Sequence, residues 1–464
     1  MKLKQIVIHL GLAVVLLTGS ITAHATNMVQ LPAEELDSVY NQEVQSNELK
    51  GWVKGPQIYS EAGIVMDIDS GAILYAKNID AKHYPASITK LLTALVALEH
   101  NELTDTVTVK EEDVSFLKYD ESHIGLKPGE EITMEDAMHG MLLASGNEVS
   151  HAIASNTQGG YENFIYMMNE KAQELGCTNS NFVNPHGLHD DEHYTSARDM
   201  ALIGAEVFKN EDFRRITKTL EYTIPVTNIT NETRTFQQHH RMLYDWRSQY
   251  YEFCEGGKTG YTDNALSTLV TFATKDNVNL VAVVLRTHGG GDKTYVDTRA
   301  MMEYGFSNFS KMPVTKDMVD AKGIKTLAKD AYVMLPEGIS FADLKSEVQY
   351  PKKVEDKTCH ITYTYKDQVV GKVSATITKE YYNEIHNIKE VKPEPKKEKT
   401  KLSAGVIIVR IILILIALVV LFYLFLVGYA AHRKRKRRKR RAEMRRKKRQ
   451  LEYQKYLRQT QNDD

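Results

Sequence analysis

Ser87 and Lys90 lie three positions apart in Pro85-Ala86-Ser87-Ile88-Thr89-Lys90-Leu91-Leu92. Three-residue spacing puts both side chains on one face of a helix. A serine hydroxyl becomes a nucleophile only beside a base. A lysine serves as that base once burial or nearby cations lower its pKa from about 10.4. Pro85 suits an entry turn, and Leu91, Leu92, Leu95, Val96 and Leu98 continue as an apolar helical stripe. The predicted placement of Ser87 is therefore the first helical turn, with Lys90 beside it.

A Ser-x-x-Lys spacing alone is cheap, and Ser115-Phe116-Leu117-Lys118 repeats it without a clear apolar helix behind it. That copy reads as a surface coincidence. Ser87 is distinguished by two companion motifs further along the chain, first Ser145-Gly146-Asn147 and then Lys258-Thr259-Gly260. Acyl transfer needs a nucleophile, a base, a proton route to the leaving amine, an oxyanion site and a grip on the substrate. Ser87 and Lys90 supply the first two. Ser145 is placed to relay a proton, and Asn147 to hold Lys90 and a substrate amide. Lys258 adds positive potential that keeps Lys90 neutral and attracts a carboxylate, for which Thr259 and Thr262 offer hydroxyls. Gly260 lets a substrate backbone approach the strand.

The elements that must position these residues read as an α+β domain with an antiparallel sheet. Ile64–Ile68 and Ala72–Tyr75 form a hairpin around Asp69-Ser70-Gly71. Helical zones come after the Ser87 helix at about 134–156, broken near Gly146, then at 161–175 and 196–208. Strands at 266–273 and 279–285 and a helix near 297–304 close the unit. Past Lys311 the pattern becomes short strands, a small β-rich domain including His360–Tyr365 and Val369–Thr378.

The ends of the chain state where it works. Residues 1–25 combine Lys2 and Lys4, an apolar run and Ala23-His24-Ala25, the pattern of a cleaved secretory signal peptide. Near the other end, Ile411–Ala431 gives 21 uncharged residues, enough to cross a bilayer. The formal net charge of −1 hides an asymmetry: residues 432–464 hold 16 Lys/Arg against 4 Asp/Glu, leaving 43 against 56 elsewhere. By the positive-inside rule this basic tail is cytoplasmic and the body faces outward. Beside a span, attraction to anionic headgroups accounts for the tail without nucleic acid. The expected organisation is signal peptide 1–25, N-terminal extension 26–54, catalytic domain 55–310, β-rich domain 311–388, charged linker 389–403, transmembrane helix 404–431 and basic tail 432–464.

Cys177, Cys254 and Cys359 are far apart, with no spacing that indicates a disulfide framework or a zinc site. His186, His189 and His193, and the pair His239-His240, do not match a zinc pattern. No metal or cofactor is expected, since serine acyl transfer needs none. Arg286 stands near a strand end, where a substrate carboxylate or plain solvent are both natural partners.

These motifs resemble those of the low-molecular-weight penicillin-binding proteins, the serine-type D-Ala-D-Ala carboxypeptidases. Pro85–Leu91, Leu126-Lys127-Pro128-Gly129-Glu130, Leu142–Asn147, Asn181–Leu188 and His193–Asp199 are similar to that family's blocks, and the likeness spans roughly residues 55–385. The resemblance implies the penicillin-binding protein/β-lactamase-like transpeptidase fold, an antiparallel sheet with a helical subdomain. It implies that Ser87 is acylated by the penultimate D-Ala of a peptidoglycan stem peptide, releasing the terminal D-Ala, and that β-lactams inhibit by the same route. It also implies an oxyanion hole from the backbone N–H groups of Ser87 and Tyr261. Tyr261 stands where the family often has His. Glu148 stands where it commonly has Asp, a change expected to matter little. The family usually anchors by an amphipathic helix rather than a span.

Other readings of the same site are a D,D-endopeptidase or transpeptidase, which differ in acceptor. A β-lactamase would need a deacylating Glu-x-x-x-Asn loop between Ser145 and Lys258, and no loop of that kind is read there. A membrane-anchored sensor of β-lactams or wall fragments is a reading of another class, against which the tail offers no folded signalling domain.

Overall fold

The computed structural model describes residues 33–351, 358–388 and 404–460. The signal peptide and charged linker expected at 1–25 and 389–403 lie outside the described residues. In chain order the strands are β1 (Ser60–Asp67), β2 (Ile73–Lys77), β3 (Thr106–Thr108), β4 (Glu131–Thr133), β5 (Glu221–Ile224), β6 (Arg234–Gln237), β7 (Cys254–Thr262), β8 (Leu266–Lys275) and β9 (Val278–Thr287). Five of them form one antiparallel sheet in the order β2-β1-β9-β8-β7.

Alternation along β9 shows how the sheet is buried. Val281, Val283 and Leu285 enter the core shared with the helical part, while Leu280, Ala282 and Val284 enter the core on the other face. Successive strand side chains point to opposite faces, so a strand apolar at every position is covered on both. The helix Gly291–Asn308 covers one face and Ala197–Val207 packs on the other. The β8–β9 hairpin turns at Asp276-Asn277, both with positive φ, as a two-residue turn requires.

The helical part is built around Lys90–His100, in which every residue from Lys90 to Ala97 is buried. A helix apolar nearly all round belongs in the centre of a fold. The zone at 134–156 is two helices, Met134–Leu142 and Asn147–Asn156, with the break at Ser145-Gly146. A Cβ on Gly146 would lie 2.9 Å from Val149 Cγ2, so that break is close-packed.

After β9 come β10 (Phe309–Pro313), β11 (Ile324–Leu327), β12 (Tyr332–Pro336), β13 (Lys345–Gln349), β14 (Thr358–Tyr365) and β15 (Gln368–Ile377). They form the sheet β11-β15-β14-β13 and the pair β10-β12. This β-rich part shares a continuous apolar core with the main sheet, through Trp52, Val65, Leu74, Phe309, Val333 and Tyr363. Tyr332 Oη donates to Asp67 Oδ1 at 2.8 Å and Lys372 N to Ser70 O at 2.6 Å, tying the two together.

Residues 404–460 are a second unit, a single helix Ala404–Thr460 that continues past the apolar run into the basic tail. Its apolar segment reaches a mean hydropathy of 3.3 and by length and composition is able to cross a membrane.

Candidate active site

Ser87 sits on a 3-10 turn, Ala86–Thr89, immediately before the helix that starts at Lys90, rather than inside that helix. Ala86 has φ +52°, a conformation costly for a residue with a Cβ. The surroundings hold it there: Thr268 Oγ1 donates to Pro85 O at 2.9 Å, and Gly187 lies against the Ala86 carbonyl. A Cβ on Gly187, itself at φ +84°, would be 1.9 Å from that oxygen. Strain persists where neighbours over-determine the backbone.

The two lysines are fully enclosed. Lys90 Nζ lies 3.0 Å from Ser87 Oγ, 2.8 Å from Asn147 Oδ1 and 2.6 Å from the His186 carbonyl; the last two can only accept, so a neutral amine spends its two N–H groups on them and turns its lone pair to the Ser87 hydroxyl. Burial, and then the Lys258 charge, push Lys90 well below the usual lysine range, opposed by the Glu148 carboxylate. Lys258 Nζ donates to Ser145 Oγ and to Thr259 O, each at 3.0 Å, and burial lowers it to about 7. Ser145 takes φ +63°, which turns its hydroxyl out of the helical path toward Lys258.

β7 forms the opposite wall. It is an edge strand, paired with β8 only, so its outer backbone groups are open to an extended ligand. Gly260 lies at the nucleophile: a Cβ there would sit 3.0 Å from Ser87 N and 2.4 Å from Thr268 Oγ1. Glycine at this point lets β7 approach the Ser87 amide. Thr259 is half-buried on the same strand, and Tyr261 is exposed, its hydroxyl donating to Asp263 at 3.1 Å. Thr262 Oγ1 accepts the Ala265 N–H at 3.0 Å, so this hydroxyl caps the β7–β8 turn while its O–H stays free to donate.

The other residues singled out in the sequence make these contacts. Arg286 Nε pairs with Glu61 Oε1 at 2.9 Å and its guanidinium also donates to Asn264 O, so it braces a strand end. Ser115 and Lys118 are both exposed on the surface. The only Glu-x-x-x-Asn spacing between Ser145 and Lys258, Glu206 to Asn210, spans a helix end: Glu206 pairs with Lys209, and Asn210 caps Glu211–Lys218. The histidines divide among separate contacts. His193 Nε2 is 2.8 Å from Thr89 Oγ1, and His189 Nε2 is 2.8 Å from Asn264 Nδ2. His239 and His240 lie near Lys258, and burial together with that charge lowers them to about 4 and about 3, leaving both neutral.

The His186 carbonyl was not legible as a site group, because a backbone acceptor leaves no mark in residue type. Its signal was indirect, in the Asn184-Pro185-His186-Gly187-Leu188 loop. There Asn184 Oδ1 accepts the Gly187 N–H at 2.7 Å, and Thr93 Oγ1 donates to Pro185 O at 2.6 Å, fixing the loop over Lys90.

The arrangement is a hydroxyl held by a buried amine, a second hydroxyl held by a second buried amine, and an open strand edge beside the first. It is suited to nucleophilic acyl transfer. Comparison with known proteins agrees. The D-alanyl-D-alanine carboxypeptidase family description matches residues 50–289. The chain is 31% identical over 353 residues to the D-alanyl-D-alanine carboxypeptidase DacA of Haemophilus influenzae, covering 71% of this chain and 84% of that one. It is 30% identical over 306 residues to DacF of Bacillus subtilis, covering 62% and 76%. Among solved structures, the Streptomyces K15 DD-transpeptidase matches with a TM-score of 0.51 at 28% identity, over 55% of this chain and 100% of that one. The chain belongs to the serine-type D-alanyl-D-alanine carboxypeptidase family.

Proposed function

We propose that the protein removes the terminal D-Ala from peptidoglycan stem pentapeptides through an acyl-enzyme on Ser87, and that β-lactams acylate the same hydroxyl. The observation that carries this reading is Lys90 Nζ, buried and lying between Ser87 Oγ at 3.0 Å and Asn147 Oδ1 at 2.8 Å. Burial and the Lys258 charge favour the neutral amine on Lys90, which takes the Ser87 proton as Oγ attacks the carbonyl of the penultimate D-Ala. The developing oxyanion meets the Ser87 and Tyr261 backbone N–H groups. As the C–N bond breaks, Ser145 passes its hydroxyl proton to the departing D-Ala nitrogen and is reprotonated with the proton Lys90 took from Ser87, so Lys90 is neutral again, while Lys258 holds Ser145 in place. Water then attacks the ester, Lys90 takes its proton, and as the ester C–O bond breaks Lys90 returns that proton to Ser87 Oγ.

Lys258 and Thr259 face the terminal carboxylate, and the substrate backbone lies along the open edge of β7 by Gly260. The helix from 404 spans the membrane and its basic end is cytoplasmic, which leaves Ser87 outside, where the wall polymer is. Likeness to a solved DD-transpeptidase favours one second reading, in which an amine rather than water resolves the acyl-enzyme.

Purified protein in detergent, given a pentapeptide ending in D-Ala-D-Ala, a crosslinked dimer and an acceptor amine, separates these readings. Free D-Ala and tetrapeptide are the expected products. Cleaved dimer or amine adduct as the main product would contradict the carboxypeptidase reading.

A further inference from the structure

Glu148, next to Asn147, is fully buried. Its Oε1 accepts the Ile124 N–H at 2.6 Å and the Gly125 N–H at 3.1 Å, while Asn147 N–H donates to Ser122 O at 2.9 Å. The stretch 122–125 is thus fastened to the turn that carries Ser145 and Asn147. The same segment is fastened at its other end by Phe116, whose ring stacks on His186 at 5.0 Å and His151 at 5.1 Å. Segment 116–125 therefore touches both residues that hold Lys90 besides Ser87, Asn147 through its backbone N–H and His186 through its ring. Between its anchors the segment is largely exposed, with Tyr119 wholly so.

We propose that Glu148 is a positioning residue of this site: its carboxylate clamps the 122–125 stretch onto the Ser145-Gly146-Asn147 turn and so fixes where Asn147 presents its amide oxygen to Lys90. Two facts separate this role from plain packing. Glu148 Oε2 is buried without a partner, a costly arrangement for a group that only fills space. The carboxylate also acts on Lys90, favouring its protonated form against burial and Lys258. The other charged or titratable groups facing this pair are His123 beside Glu148, and Lys258, His186 and His193 around Lys90. Burial itself raises the Glu148 carboxyl. The inference rests on Lys90 being the base of the proposed acylation.

The test measures the acylation rate of full-length protein by a fluorescent penicillin between pH 5 and 9, with melting temperature, for wild type, Glu148→Gln and Glu148→Ala. Gln retains an acceptor for Ile124 and Gly125 and removes the charge. It is expected to stay folded, to keep measurable acylation, and to shift the alkaline-rising limb toward lower pH, because Lys90 loses a group that favours its proton. Ala removes the clamp and is expected to lower the acylation rate about tenfold or more at every pH. Should Ala fail to fold, the limb in Gln decides. Folded variants with the wild-type rate and limb, or a loss that tracks only the folded fraction, would overturn the proposal. An unlabelled wild type would instead overturn the site reading beneath it.

Discussion

Lys258 Nζ lies 3.0 Å from Ser145 Oγ across 113 positions of sequence. Ser145 adopts a left-handed backbone to reach this contact, and Lys258 gives up solvent for it. Strain and charge burial of this kind collect where a site is built rather than where a fold is merely stabilised.

Replacing Lys258 by Gln should lower acylation by penicillin about a hundredfold, because a preorganised cation is lost from a dry site. It should also move the alkaline-rising limb toward higher pH. The sign comes from the cause: the Lys258 charge disfavours a proton on Lys90, so without it Lys90 holds that proton to higher pH. Since Lys258 itself titrates at about 7, the wild-type profile belongs to the two lysines together. Stopped-flow acylation across pH checks both statements.

Gly187→Ala should damage the site more than the fold. Its Cβ would lie 1.9 Å from Ala86 O at a backbone φ of +84°, so the loop must move away from Lys90. A loss of about 3 kcal/mol in stability is expected, with acylation falling further than the folded fraction explains. Thermal melting and penicillin labelling of the same samples make the comparison.

Much of this site was legible in residue type. Ser87, Lys90, Ser145, Asn147 and Lys258 were named from three motifs of residue type, and the structure brings Ser87 and Asn147 to Lys90 and Ser145 to Lys258. The sheet was legible where alternation or continuous apolar runs marked it, as along β9. What escaped was backbone. Positive φ at Ala86 and Ser145, the His186 carbonyl on Lys90 and the 3-10 turn under Ser87 are enforced by tertiary neighbours, and no local pattern encodes them. Long-range side-chain pairs escaped for the same reason. Lys77, fully buried and donating to Val39 O and Ile58 O at 2.9 Å each, looks in sequence like an ordinary strand-end lysine.

That lysine gives a third prediction. Burial lowers Lys77 to about 8, and its two carbonyl contacts tie the segment before β1 to the sheet. Lys77→Met leaves those carbonyls unpaired, at a cost of about 1–3 kcal/mol each. Faster proteolysis between residues 40 and 58, with penicillin labelling kept, is the expected result by limited digestion and mass spectrometry.

Asp297 sets a pH dependence of stability in the acid range. Burial raises its carboxyl to about 6, partly offset by hydrogen bonds from Ser60 and Tyr59. A carboxyl raised on folding contributes stability that is complete below its unfolded pKa and lost as pH rises through about 6. Asp297→Asn should therefore flatten the melting temperature between pH 4 and 6 relative to wild type, which a melting series in that window measures.

The most direct test of the central claim is intact-protein and peptide mass spectrometry after brief exposure to a penicillin. A single adduct on the peptide containing Ser87, absent in Ser87→Ala and unchanged in Ser115→Ala, is the predicted result. An adduct that persists in Ser87→Ala, or a folded wild type that takes up no penicillin, would contradict the account.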